Sequence, residues 1–369
     1  MKKKIFIVLA AISLLVLLVP VTAQASSGLV VSPSLAVVNF PTSVIISISA
    51  ESDVNITDIR LHYTVERKSY AQVVAEAYIT FVPAKKVETQ WVLDLRRTGT
   101  LPPGTNITYW LTVADASGSR IETIPSVIHL EDNRYDWKTI QEGQVTLHWY
   151  SGNESFAGEL MAAAQTALTR LADNTGAELE SSVNLYIYAN ATDLQGAMID
   201  AQDWTGGVAF SEYGTIAIGI GTSQDEVDWG KRTIAHELTH MVLYQVTSNP
   251  YNYLPLWLNE GMAMFSEGTL ELSFVLALSS ADANHSFLTV QSLCSPFPTD
   301  YNQAVLAYAE SYKIVSYLIN EYGREKMFEL LNVFKQGSGY NEALLKVYCF
   351  NMDELNSLWR TEPVAVYGS

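Results

Sequence analysis

His236, Glu237 and His240, within "TIAHELTHMVL", have the types and spacing to do chemistry together. An α-helix turns once every 3.6 residues, so positions four apart share a face and two imidazoles there can reach one ion. The carboxylate between them points slightly aside, where it can hold a water rather than bind the ion. Two neutral imidazoles binding Zn2+, with a carboxylate to take the proton of an attacking water, is the mechanical content of an H-E-x-x-H helix. The competing reading is a buried helix that carries two histidines by coincidence.

A catalytic zinc commonly has three protein ligands and keeps a fourth position open. Glu260, in "PLWLNEGMAMFSEG", follows His240 by twenty positions and stands in a helix that opens after Pro255. The intervening "VTSNPYNYL" gives the chain room to turn back. Two antiparallel helices joined this way bring Glu260 opposite the histidines. Cysteine ligation is the weaker option, because Cys294 and Cys349 both lie far along the chain.

The elements that must position these residues can be read from periodicity. Between Leu29 and Leu130, short runs rich in Val, Ile, Thr and Tyr alternate, as in "SVIISISA" and "ITYWLTVAD". Turn clusters such as "ESDVN" and "LPPGTN" separate them. About seven strands at this spacing describe an antiparallel β-sandwich of the immunoglobulin or fibronectin type III kind. His62 and His129 fall in these strands and read as structural. After "HLEDNRYDW" the rhythm changes. "QVTLHWY", "VNLYIYA" and "TIAIGIG" read as strands, "SFAGELMAAAQTALTRLADNTG" reads as an amphipathic helix, and the chain from Lys231 onward is mainly helical.

The expected organisation is therefore an export signal over residues 1–25, a β-sandwich over 26–133 and a catalytic domain over 134–369. The catalytic domain is α+β with a mainly helical C-terminal lobe. The export reading rests on Lys2, Lys3 and Lys4, an apolar run from Ile5 to Val19 and small residues at Ala23 and Ala25. It predicts a secreted protein, or a cell-surface one if the signal is retained as an anchor. No later segment is apolar enough to span a membrane. The net charge of −17 leaves no basic footprint for nucleic acid, and that class is set aside. The two cysteines allow one disulfide or two free thiols. Sequons stand at Asn55, Asn106, Asn153, Asn190 and Asn284.

"HELTH" followed by "LPLWLNEGMA" resembles the gluzincin metallopeptidases, the group of thermolysin and the aminopeptidase N-like enzymes, and most of all their peptidase MA-like domains. The likeness continues through "AYAESYKIVSYLINEYGREKMF" into the C-terminal helices. It implies zinc on His236, His240 and Glu260, Glu237 as general base and Glu267 as a group that orients a ligand. It also implies a tyrosine donor for the oxyanion, which maps to Tyr308, with Tyr312 the competing position. Aminopeptidases of this group carry a glutamate on an edge strand that holds the substrate's free amine. Here "GGVAFSEYGTIAI" places Ala209 at that position, and Glu212 reaches it only with an insertion. The departure points to an endopeptidase acting on polypeptide. The rival from another class is a peptidase fold without chemistry, serving surface binding or adhesion.

Overall fold

The computed structural model describes residues 28–68, 72–202 and 205–361. The expected export segment lies outside the described residues. Among these, no helix is long and apolar enough to cross a membrane.

Among the described residues the N-terminal part has nine strands rather than about seven: β1 (Val30–Val31), β2 (Leu35–Asn39), β3 (Ser43–Glu51), β4 (Ile56–Val65), β5 (Ala75–Tyr78), β6 (Lys86–Asp94), β7 (Thr105–Asp115), β8 (Arg120–Glu122) and β9 (Ser126–Leu130). In one antiparallel sheet β3 pairs with β6 along one edge and with β1 and β2 along the other. In the second the order is β5-β4-β7-β8, with β9 also on β7. Strict alternation puts Val44, Ile46 and Ile48 of β3 into the same core as Ile59 and Leu61 of β4 and Ile107, Leu111 and Val113 of β7. Successive strand side chains face opposite ways, so this register buries one face of each sheet against the other.

The C-terminal part begins with a five-stranded sheet of β10 (Lys138–Glu142), β11 (Val145–Trp149), β12 (Val183–Tyr188), β13 (Gly207–Phe210) and β14 (Thr215–Gly219). Its order is β10-β11-β12-β14-β13, with β11, β12 and β14 parallel and the two outer strands antiparallel. Helices α1 (Glu154–Thr175), α2 (Ala191–Gln195), α3 (Gln224–Thr247), α4 (Leu256–Glu267), α5 (Leu272–Asn284), α6 (Tyr301–Lys335), α7 (Tyr340–Tyr348) and α8 (Met352–Leu358) complete it. Helix α6 breaks at Gly323, whose φ of 80° suits a residue without a Cβ.

The two parts are not joined by a loose linker. One face of this five-stranded sheet, with Tyr186, Tyr188 and Ala217, packs into the sandwich core, while Leu147, Leu185 and Ile218 pack against α1 and α3 on the other. Asp132, at the expected boundary, is buried. It accepts hydrogen bonds from the Arg134 guanidinium (2.6 and 2.7 Å) and from the Tyr188 hydroxyl (3.0 Å). His62 accepts or donates a 3.0 Å bond with the Thr112 hydroxyl, in keeping with a structural role. Cys294 and Cys349 are free thiols.

Candidate metal centre and cleft

Helix α3 carries the motif because its start is well fixed. Ser223 opens it, and the Glu226 carboxylate accepts the Ser223 backbone N–H at 3.2 Å. This reciprocal cap satisfies donors that the first turn would otherwise leave open. Ile234, Leu238, Met241 and Val242 anchor the helix in the core. His236 and His240 stand on its other side, one turn apart, with ring centroids 4.7 Å from each other.

Helix α4 starts after Pro255 and brings Glu260 to both rings. Its Oε2 lies 3.5 Å from Nε2 of His236 and 3.6 Å from Nε2 of His240. These separations exceed a hydrogen bond, but they match the roughly 3.4 Å edge expected between donors around a tetrahedral Zn2+. One nitrogen or oxygen atom from each of the three residues falls within 4.8 Å of the others. The other ring nitrogen of His236, Nδ1, meets Oε1 of Glu267 at 2.8 Å. That bond fixes the ring so that Nε2 faces inward. Nδ1 of His240 is buried with no hydrogen-bond partner among the described residues, so internal bonding does not account for the position of that ring. Two imidazoles and one carboxylate, with a carboxylate behind one imidazole, fit zinc.

Electrostatics agree with a site built for a cation. Burial pulls the His236 imidazolium down, yet Glu260 and Glu267 outweigh it and push its pKa up to about 10. Burial raises Glu260, and the two facing histidines more than reverse this, leaving its carboxyl below the usual range.

The three donors line an open cleft of about 380 Å3, together with Glu237, Asn259, Tyr308 and the strand residues Gly207, Val208, Ala209 and Ser211. Strand β13 forms one wall, and among the described residues it pairs with β14 alone. A Cβ on Gly207 would stand 3.2 Å from Oε1 of Glu237 and 2.9 Å from Cγ2 of Thr233. The absence of a side chain there lets the strand lie against the carboxylate. Tyr308 enters from α6, and burial, with Glu260 and Glu237 nearby, pushes its phenol up. Tyr312, one turn on, lies against Phe265, with ring centroids 6.0 Å apart. Ala209 lines the cleft, whereas the Glu212 carboxylate meets Arg67 of the sandwich at 3.7 Å.

Sequence reasoning missed Gly207 and Gly261. A Cβ on Gly261 would overlap the Ser311 carbonyl, so this glycine lets α4 touch the backbone of α6 beside Glu260. The signal was present as the glycine of "NEG" and as the doubled glycine of "GGVAF".

A family model described as the peptidase MA superfamily matches residues 163–365, more than half of the chain. No curated protein matches the chain significantly. Among solved structures, an M1 zinc metallopeptidase from Deinococcus radiodurans superposes with a TM-score of 0.40 at 12% identity, covering 87% of this chain and 90% of that one. The aminopeptidase A of Legionella pneumophila gives 0.40 at 11% identity, over 86% of this chain and 47% of that one. OgpA from Akkermansia muciniphila gives 0.22 at 12% identity, over 28% and 27% of the two chains. These superpositions are loose.

Proposed function

The chain belongs to the peptidase MA superfamily, and from that premise we propose that it is a zinc-dependent peptidase whose ion is held by His236, His240 and Glu260. The observation that carries this reading is the convergence of two Nε2 atoms and one carboxylate oxygen at 3.5 and 3.6 Å, with Glu267 fixing one of the rings.

When bound, zinc in such a donor set supplies Lewis acidity, polarising a carbonyl and letting water ionise near pH ~7. The remaining steps fall to the protein. The Glu237 carboxylate takes the proton of the attacking water and later delivers it to the leaving amine. Gly207 keeps that carboxylate in place by leaving it room. Tyr308, whose raised pKa keeps its phenol protonated, donates its O–H to the oxyanion that develops on the scissile carbonyl. The free edge of β13 offers backbone N–H and C=O groups to an extended substrate, which would bind as an added strand.

An endopeptidase is the reading favoured over an aminopeptidase. Ala209 supplies no carboxylate to hold a free amine, and the Glu212 carboxylate faces Arg67. The test compares the wild type with Glu237→Gln for zinc content and for cleavage of a labelled unfolded protein, with and without chelator. Zinc in both, with chelator-sensitive cleavage by the wild type alone, is expected. Equal cleavage by both would remove Glu237 as base. Zinc in both with cleavage by neither would favour the non-catalytic binding protein.

A further inference from the structure

We propose that a second, smaller cavity beside His240 is the pocket that selects substrate, and that it takes one uncharged side chain, aliphatic or phenyl in size, from a residue flanking the scissile bond. This rests on the peptidase reading and deepens it.

The cavity encloses about 130 Å3 and shares Ser211, His240 and Asn259 with the catalytic cleft. A peptide lying along β13 over the metal ligands therefore has this opening within reach of a side chain next to the bond being cut. Its size is close to that of an engineered cavity of ~150 Å3 that accepts benzene. A Leu, Met or Phe side chain fits such a space, and Trp exceeds it.

The chemistry of the walls excludes charge. Among the described lining residues there is no Asp, Glu, Lys or Arg. A charged side chain would lose its water with no carboxylate, ammonium or guanidinium in the wall to pair with it, at a cost that shape complementarity cannot offset. Two of its three asparagines, Asn249 and Asn252, do not remain free to recruit polar groups. Asn249 donates to the carbonyls of Thr247 and Phe334 and accepts the backbone N–H groups of Tyr251 and Asn252. Asn252 donates to the Ser338 carbonyl at 2.8 Å. These bonds pin the α3–α4 connection to the end of α6, so the pocket is preformed. Apart from the polar groups of Ser211, Thr247, Ser248 and Asn259, the wall offers the apolar surface of Tyr244, Tyr253 and Leu254.

One wall is held from the other part of the chain. The Tyr244 hydroxyl donates to the Lys68 carbonyl at 2.7 Å, and the Lys68 backbone N–H bonds the Glu212 carbonyl at 2.6 Å. Lys68 follows β4 of the sandwich, which thus braces the pocket against the strand end that carries Ser211.

Two arms test the proposal on the full chain. In the first, zinc-loaded Glu237→Gln is titrated calorimetrically with blocked hexapeptides that differ in one residue, Gly, Leu, Phe, Lys or Asp, placed at each central position in turn. At one position Leu and Phe should bind at least about tenfold more tightly than Gly, Lys and Asp, the discrimination a hydrophobic pocket supplies. Leu254→Ala, and separately Tyr253→Ala at the exposed rim, should shrink that contrast while the Gly peptide binds within about twofold of its original affinity. Equal affinities across the series, or a contrast that neither substitution changes, would overturn the pocket. In the second arm the wild type is offered the same peptides with and without chelator. Selective binding without chelator-sensitive cleavage keeps the pocket and sinks the peptidase reading; cleavage without selectivity does the reverse.

Discussion

The Cα of Gly261 lies against the Ser311 carbonyl so closely that any Cβ would overlap it. Gly261 follows Glu260, a proposed zinc ligand, and Ser311 follows Tyr308 by three positions on α6, so this contact sets the distance between those two side chains. Gly261→Ala must push α4 and α6 apart. Overpacking of this kind costs about 1–3 kcal/mol. The expected outcome is a lower melting temperature together with weaker zinc binding, measured on the same preparation. A variant that melts lower but binds zinc as the wild type does would show that the contact serves stability alone.

Glu267 is bonded to His236 at 2.8 Å, through which it would act on the proposed zinc site. Loss of such an outer partner typically weakens metal affinity by about 10–100-fold. Glu267→Ala is expected to fall in that range in competition with a chromogenic chelator, and at saturating zinc it should regain much of its turnover. In the metal-free protein His236 keeps a proton, its pKa pushed up to about 10. Zinc must displace that proton, so apparent affinity should weaken as pH falls below that value. Zinc affinity unchanged by the substitution would remove Glu267 from the site.

The convergence of His236, His240 and Glu260 was legible because a helix turns four spacings into one face, and because Pro255 announces the helix that carries Glu260. Strand β13 was not. It has four residues, each only partly buried, so it lacks the apolar alternation by which β3 declares itself. The roles of Gly207 and Gly261 were also hidden, since a glycine's reason for being there is the neighbour that a side chain would strike. The sandwich was read from its alternation, but the strand count was low: β8, of three residues, is too short for a periodic signal. Tyr308 and Tyr312 share a helix and a residue type, and only the packing of α6 against α4 separates cleft from core.

The sandwich is expected to be indispensable for folding of the catalytic part, not an optional module. Tyr188 and Leu194 are fully buried and Tyr186 and Ala217 nearly so, all within the core that the sandwich completes. Residues 134–369 alone would expose that face as a contiguous apolar patch, which soluble monomers rarely tolerate. Size-exclusion chromatography should find this fragment aggregated, and calorimetry should find no sharp transition. A monomeric fragment with a cooperative melt and bound zinc would refute the shared-core argument.

Glu310, on α6 two residues past Tyr308, is wholly buried and should make stability depend on pH. One carboxylate oxygen accepts the Leu288 backbone N–H at 2.9 Å, and the other has no hydrogen-bond partner among the described residues. Burial pushes its pKa up to about 8 from an ordinary 4.5, against the opposing pull of the Leu288 N–H, Arg360 and Lys313. The folded chain therefore holds this proton more tightly than the unfolded chain does. Between pH 4.5 and about 8 the unfolded state binds fewer protons, so stability falls as pH rises, by at most about 1.4 kcal/mol per pH unit for one group. Below the unfolded pKa both states are protonated and this contribution is flat. Gln keeps the acceptor for Leu288 and cannot ionise, so Glu310→Gln should be the more stable protein at pH 8 and should lose this slope. Urea unfolding of both proteins at pH 5, 6, 7 and 8 measures it, and identical slopes for the two would rule out a buried, proton-holding Glu310.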